Sequence, residues 1–112
     1  MDKNLKQGTL ELVLLSALER QPMYGLEILK AIETRTNGLF QFKEGSLYPS
    51  LHKLVDADLI ESEWQTSSVG GAPRKVYCIT EAGLKQLERK KLEWQDLRSS
   101  LDALLSPGAR TV

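Results

Sequence analysis

The side chains best suited to directed contacts with a partner lie in one stretch, residues 44–60. On a helical wheel, one side of this stretch carries Pro49, His52 and Lys53, with Tyr48 on its shoulder. A phenol, an imidazole and an ammonium are hydrogen-bond donors, so this side suits insertion into a DNA major groove. The same pattern also fits an ordinary surface helix that carries one histidine. The other side is an apolar stripe at helical spacing, formed by Leu47, Leu51, Leu54 and Val55.

Two residues mark the beginning of this predicted helix. Ser46 is a good N-cap candidate, because its hydroxyl can accept a hydrogen bond from a free backbone amide. Pro49 is tolerated only near the helix start, since a proline in the first turn removes no intrahelical bond. We therefore expect the helix to begin here, with its first turn exposed.

The charge of the chain gives no general support for DNA binding. Its 112 residues carry a net charge of zero, whereas many nucleic-acid binders are strongly basic. The case depends on where the bases lie relative to the acids. DNA binding would require one face to gather Lys43, Lys53, Arg74 and Lys75. The acids expected elsewhere are Asp56, Asp58, Glu61 and Glu63.

The residues that enzymes and metal sites require are sparse. The chain has one histidine and one cysteine, and its scattered carboxylates predict no metal cluster. It shows no nucleophile with its base and no glycine-rich phosphate loop after a strand. We therefore expect no enzyme, metal or cofactor. The lone cysteine, the charged start and the lack of an apolar run of about 20 residues favour a cytoplasmic protein without membrane association.

Two more helices are predicted before this stretch. Helical spacing of apolar residues predicts a first helix over residues 9–19, which we interpret as core scaffold. A second is predicted over residues 24–36, and Asn37 and Gly38 end it because both tolerate the left-handed conformation. Residues 39–42 are β-prone. The apolar residues available for packing on the second helix are Leu26, Ile28, Leu29 and Ile32.

A hairpin is predicted after the third helix. Residues 59–65 and 74–80 have the composition of strands, and residues 66–73 are rich in turn formers. Arg74 and Lys75 lie at the neck of this hairpin. Three helices followed by a hairpin predict a mainly α (α+β) fold, the winged helix-turn-helix.

A long fourth helix is predicted over residues 81–105, capped by Thr80 and ended by the run Ser106-Pro107-Gly108. At 1.5 Å per residue it spans about 37 Å, longer than the small core it leaves. So much exposed leucine needs a partner, and we predict a homodimer. The alternative is that the helix folds back over the first helix of its own subunit, and both arrangements can coexist. The predicted dimerisation residues are Leu87, Trp94, Leu97, Leu101 and Leu104.

Several motifs in this order resemble the PadR family of bacterial transcriptional regulators. The motifs open the three helices at residues 8–12, 22–28 and 45–51, and the pattern continues through Leu59-Ile60, Trp64 and residues 74–77 and 80–83. The single C-terminal helix is similar to the short PadR subfamily. Asp58 departs from the pattern, because the family usually has glycine there, and Cys78 stands where a second tyrosine is common.

The resemblance implies a dimeric repressor on a pseudo-palindromic operator in double-stranded DNA. Matched by position, Tyr24, Ser46, Tyr48 and Lys53 would contact phosphates or base edges. Arg74 and Lys75 would reach the backbone or the minor groove. Tyr24 and Tyr48 also fit a role at the edge of the core. The predicted DNA-binding residues are Tyr24, Ser46, Tyr48, Pro49, His52, Lys53, Arg74 and Lys75.

Trp94 has a separate expectation from the resemblance. In similar short members, a tryptophan at this place lines the dimer interface, and some members sandwich flat aromatic ligands between the two copies. A planar aromatic effector is therefore expected here, and simple packing of the interface is the alternative.

The predicted organisation has three parts: a DNA-binding domain over residues 1–80, a dimerisation helix over residues 81–106 and a tail over residues 107–112. The alternative function is a winged-helix module for protein–protein interaction, which the neutral charge supports. The operator, the regulated genes and the effector are not readable from the sequence.

Overall fold

A computed structural model describes residues 3–66 and 70–107, with side chains described from residue 9. The elements predicted from periodicity are present in the predicted order. In chain order they are α1 (Lys3–Glu19), β1 (Met23–Tyr24), α2 (Gly25–Arg35), α3 (Glu44–Asp56), β2 (Ile60–Gln65), β3 (Arg74–Ile79) and α4 (Glu81–Leu105).

A three-stranded antiparallel sheet closes one side of the helices, in the order β1-β3-β2. Strands β2 and β3 form the wing, with Ile60 opposite Ile79 and Trp64 opposite Lys75. Strand β1 pairs Met23 with Tyr77. This strand was not predicted, because two residues are too short to show any alternation. The predicted turn falls partly on residues 67–69, which lie outside the described residues.

The core lies where the three helices meet the sheet. Each of α1, α2 and α3 contributes one apolar stripe, as the 3.6-residue period requires. The stripe predicted for α3 is confirmed, with Val55 half-buried at its edge. The prediction that Leu26 packs in the core is wrong, since this side chain is 52% exposed. The largest fully buried side chains are Tyr77, Leu14, Leu15, Leu18, Ile28, Leu47, Leu51, Ile60 and Leu87.

Two element boundaries differ from their predictions. Helix α1 begins at Lys3 and not at Thr9, because lysine, leucine and glutamine in residues 3–7 favour helix. Residues 39–42 form no strand. Phe40 and Phe42 instead stack with ring centroids 6.1 Å apart and pack against the core. Helix α2 ends as predicted, with Asn37 and Gly38 at φ 52° and 81°.

Helix α4 is attached to the core through its first turn. The Thr80 hydroxyl accepts from the Gly83 amide at 3.0 Å, which confirms the predicted cap. The same hydroxyl donates to the carbonyl of Asp58 at 2.7 Å, and the Thr80 amide donates to Leu59 at 3.1 Å. Gly83 is buried against the Leu59 carbonyl, where an added Cβ would overlap the oxygen. The start of α4 is thus fixed to the turn that follows α3.

Two ion pairs continue the attachment of α4 to α1. Lys91 Nζ lies 3.0 Å from a carboxylate oxygen of Glu19, and Lys90 Nζ lies 3.8 Å from Glu11. The hydrogen bond to Glu19 raises the pKa of Lys91 above its usual value. Beyond Lys91 the helix leaves the core, and the subunit measures 70 × 28 × 23 Å. Among the described residues, none of the helices combines the length and apolar character needed to cross a bilayer.

Candidate nucleic-acid interface

Helix α3 presents its polar side outward, as predicted. Leu47, Leu51 and Leu54 fix the helix by burial, while His52 and Lys53 are exposed and Tyr48 is partly so. The apolar stripe therefore fixes which side chains face solvent, and these include the hydrogen-bond donors expected to meet a partner.

The predicted beginning of α3 is wrong. The N-cap is Lys43, and Ser46 lies inside the first turn with its amide 2.9 Å from the Lys43 carbonyl. Pro49 accordingly lies in the second turn, where it cannot donate to the carbonyl four residues earlier. The Ser50 hydroxyl donates to the Ser46 carbonyl at 3.0 Å. The helix therefore begins about one turn earlier than predicted from the position of Pro49. Both Ser46 and Pro49 are exposed.

A cleft of about 500 Å³ separates α3 and the start of α2 from the wing. It brings together five of the eight predicted DNA-binding residues. Among the described residues that line it there is no carboxylate, although the whole chain is neutral. Of the four bases considered for one face, Arg74 and Lys75 lie in this cleft, and Lys43 and Lys53 do not. The lining residues are Tyr24, Gly25, Leu26, Tyr48, His52, Trp64, Pro73, Arg74, Lys75 and Tyr77.

Both cations of this cleft lie against aromatic rings. The guanidinium carbon of Arg74 is 4.5 Å from the centroid of the Tyr24 ring. The Lys75 ammonium is 5.8 Å from the centroid of the Trp64 ring. Such contacts attract the cation to the ring face while leaving its outer side open to an anion. The aromatic residues thus orient the two charges toward the cleft.

The tyrosines of the cleft also hold its walls together. Tyr48 packs so closely on α2 that a Cβ added at Gly25 would lie 2.5 Å from the Tyr48 hydroxyl oxygen. Tyr77 is buried, and this burial, with a smaller effect of Tyr48, raises the pKa of Tyr77. Its phenol therefore stays neutral well above physiological pH. The Tyr24 amide donates to the Glu27 carboxylate at 3.1 Å, which supports the start of α2.

Lys53 does not line this cleft. It borders a smaller hollow of about 220 Å³ between α1 and α3. That hollow also contains Glu11, a carboxylate that pairs with Lys90. Lys53 is exposed and on the outer side of α3, but it faces a different part of the surface from Arg74 and Lys75.

The predicted dimerisation residues fall into two groups. Leu87 is 0% exposed and belongs to the core of its own subunit, so it has no surface to offer a partner. Trp94, Leu97, Leu101 and Leu104 are exposed. Trp94, 43% exposed, also borders a groove of about 320 Å³ whose other walls come from α1, α2 and Phe40.

Sequence reasoning gave no role to Trp64, which lies in the same cleft as the predicted residues. The register of the hairpin could have indicated Trp64, because it places this residue directly opposite the basic neck residue Lys75. Gly25 was also missed, since only the structure shows how closely the Tyr48 phenol approaches it.

Three helices, the third of which has an outward polar face, and a two-stranded wing define a winged helix-turn-helix protein. Over residues 14–89 the chain matches the Transcriptional regulator PadR-like family. This match covers more than half of the chain, which belongs to that family. It is a transcriptional regulator and not an enzyme, in agreement with the predicted fold and function class.

Individual relatives agree with this assignment. Protein X of Lysinibacillus sphaericus is 33% identical over 99 residues, covering 88% of this chain and 90% of the relative. Transcriptional regulator YqjI of Escherichia coli is 32% identical over 96 residues, covering 86% of this chain but 44% of the relative. This chain therefore matches less than half of YqjI.

Solved structures show the same architecture. A PadR-like transcriptional regulator of Bacillus cereus superposes with a TM-score of 0.80 at 32% identity, covering 93% of this chain and 98% of the other. A transcriptional regulator of Clostridium thermocellum gives a TM-score of 0.83 at 26% identity, with 95% and 99% coverage. Such coverage includes the long helix α4 as well as the winged helix.

Proposed function

We propose that this regulator is a homodimeric repressor that binds a pseudo-palindromic operator in double-stranded DNA. The observation that carries the proposal is the cleft between α3 and the wing. Arg74 and Lys75 lie in it without a carboxylate among the described lining residues, beside the exposed donors of α3. A phosphate would meet these cations there, while His52 and Lys53 extend toward the groove.

The exposed part of α4 supports the dimer. Its apolar side chains lie on the half of the helix beyond Lys91, and each stays between 41% and 79% exposed in the subunit. At about 25 cal/mol per Å² of apolar surface, covering several such side chains is worth several kcal/mol. Two-fold pairing through this segment would hold two α3 helices for half-sites on the order of 10 bp apart. The exposed residues are Leu92, Trp94, Leu97, Leu101, Leu104 and Leu105.

Salt dependence of DNA affinity tests the phosphate contacts. Lys53→Ala and Arg74→Ala should each weaken binding and reduce the slope of log affinity against log salt by about one counterion. Lys85→Ala is the matched control, because Lys85 is exposed on α4 and outside the cleft. It should leave both affinity and slope unchanged. Fluorescence anisotropy with a labelled duplex at several salt concentrations gives both quantities.

Two results would contradict the phosphate contacts or the function. Wild-type slopes in both variants would show that neither side chain contacts phosphate. Failure of the folded wild-type protein to bind promoter DNA at low salt would favour the protein–protein interaction module.

The duplex to try first is the region upstream of the protein's own coding sequence, searched for an inverted repeat. Repression itself is tested by deleting the gene, which should raise transcription from a promoter carrying the bound repeat.

Trp94 is proposed as the contact for a planar aromatic effector. The groove beside it is lined largely by apolar groups of α1 and α2, and a second indole across the two-fold axis would complete a stacking site. Such a ligand would induce transcription only if its affinity differs between two forms of the dimer. In one form the two winged-helix domains have the spacing that binds DNA, and in the other they do not. Planar dyes should quench Trp94 fluorescence in a Trp64→Phe variant. No quenching by a broad panel would leave Trp94 as a packing residue.

A further inference from the structure

We propose that Trp64 is a DNA contact, with its indole lying against the deoxyribose rings of the strand whose phosphates bind Lys75. This inference rests on the proposed function and adds to it a residue of the wing. It assigns the wing an apolar contact with the sugar–phosphate backbone beside its charged ones.

The position of Trp64 is fixed by the wing. Trp64 is directly opposite Lys75 in the β2–β3 register, and alternation along the strands puts both on the same face as Tyr77. That face borders the cleft with Tyr48 and His52 of α3. By the same alternation, Glu61, Glu63 and Arg74 point to the opposite face. The indole therefore lies beside Lys75 and the donors of α3, and away from the acids of its own strand.

The indole is a large apolar surface that the subunit leaves uncovered. Trp64 is 67% exposed, and its contact with the Lys75 ammonium occupies only part of the ring. Tryptophan is costly to expose and is enriched where proteins meet partners. An uncovered indole beside the Lys75 ammonium fits a partner that alternates anionic groups with apolar ones.

The backbone of DNA has this alternation. Each phosphate is followed by a deoxyribose whose C–H groups form an apolar surface. A phosphate bound by Lys75 would place the neighbouring sugar over the Trp64 ring, since the ammonium and the ring centroid are 5.8 Å apart. A second copy of this chain is a poorer fit, because the exposed leucines that would pair two copies lie on α4.

Fluorescence of a single-tryptophan protein tests the contact directly. The chain has two tryptophans, so Trp94→Phe leaves Trp64 as the sole indole and retains an aromatic ring on α4. Adding duplex DNA should quench this emission and shift it to the blue in proportion to binding, and high salt should reverse the change. Unchanged emission while anisotropy shows bound duplex would overturn the inference and leave the proposed function intact. Emission that instead depends on protein concentration without DNA would assign Trp64 to a contact between copies and also overturn it.

Substitution separates the apolar contact from charge. In the full chain, Trp64→Ala should lower DNA affinity by roughly tenfold, the order of one aromatic contact, with the salt slope unchanged. Lys75→Ala should lower the slope by about one counterion. Trp64→Phe should restore most of the affinity, and none of the three should alter the sedimentation coefficient. Affinity of Trp64→Ala within about twofold of wild type would overturn the contact. Absence of DNA binding by the folded wild-type protein would overturn the proposed function and this inference together.

Discussion

The two halves of α4 both carry leucines but have different surroundings. In residues 81–91, Gly83 and Leu87 are buried and Lys90 and Lys91 pair with carboxylates of α1. In residues 92–105, every residue is exposed, up to 79% for Leu104. The first half holds the helix to its own subunit, and the second half is available to another. One continuous helix can therefore connect a DNA-reading head to a partner without a flexible joint.

This difference separates the two arrangements considered for α4. Folding back on α1 is correct for the first half, as Leu87 and the Lys91–Glu19 pair show. Pairing between copies stays a prediction for the second half. Because the turn after α3 contacts the Thr80–Gly83 turn, the direction of α4 and the position of α3 are mechanically linked.

The largest expected effect comes from breaking the attached half. Gly83→Ala would put a methyl group onto the Leu59 carbonyl. Because the backbone must then move, this variant should lose about 3 kcal/mol of unfolding free energy. Gly45→Ala is the matched control, since nothing lies within 4 Å of an added Cβ there. It should be neutral or stabilise by up to about 1 kcal/mol. Urea denaturation at equal protein concentration measures both.

A Gly83→Ala protein as stable as wild type would show that the first turn of α4 is not fixed to the turn after α3. The mechanical link between α4 and α3 would then fail, whatever the second half does.

The next effect comes from the exposed half. Leu101→Ala changes two side chains in a symmetric dimer. A loss of about 1.5 kcal/mol of association free energy for each would raise the dissociation constant of the dimer roughly 100-fold. Leu26→Ala is the control, because Leu26 is 52% exposed and Leu101 is 41% exposed, but Leu26 lies on α2. Sedimentation equilibrium should show dissociation in the first variant only. Equal effects of both substitutions would contradict an interface on α4.

The smallest effect sharpens the junction between α3 and α4. Asp58 has φ 60°, a left-handed conformation that costs a residue with a Cβ roughly 1 kcal/mol. Asp58→Gly should therefore stabilise the protein by about 0.5–1 kcal/mol and leave the carbonyl that Thr80 contacts in place. Lys53→Gly, at an exposed position inside α3, should destabilise by about the same amount. Chemical denaturation curves of the two variants should move in opposite directions, and a shift of both toward lower stability would be inconsistent with strain at Asp58.

Much of the fold followed from periodicity, because burial imposes it. The stripe of Leu47, Leu51 and Leu54 is confirmed on this ground. The bounds of α4, predicted from the Thr80 cap and the run Ser106-Pro107-Gly108, are confirmed as well. Periodicity does not show which copy covers a leucine, so Leu87 and Leu101 look alike in sequence although one is in the core and the other is exposed.

The site was predictable in part, for a similar reason. Residue type and the outer face of α3 indicated His52 and Tyr48, and the hairpin neck indicated Arg74 and Lys75. That these residues share one cleft depends on long-range packing, including the approach of Tyr48 to Gly25. The N-cap at Lys43 was missed because a side-chain cap was expected, and this helix begins without one.

The mass of the protein–DNA complex tests the central claim most directly. Sedimentation of the full chain with a duplex carrying an inverted repeat, half-sites about 10 bp apart, should give two subunits per duplex. The protein alone should sediment as a dimer under the same conditions. One subunit per duplex, with a lone subunit in free solution, would contradict the account.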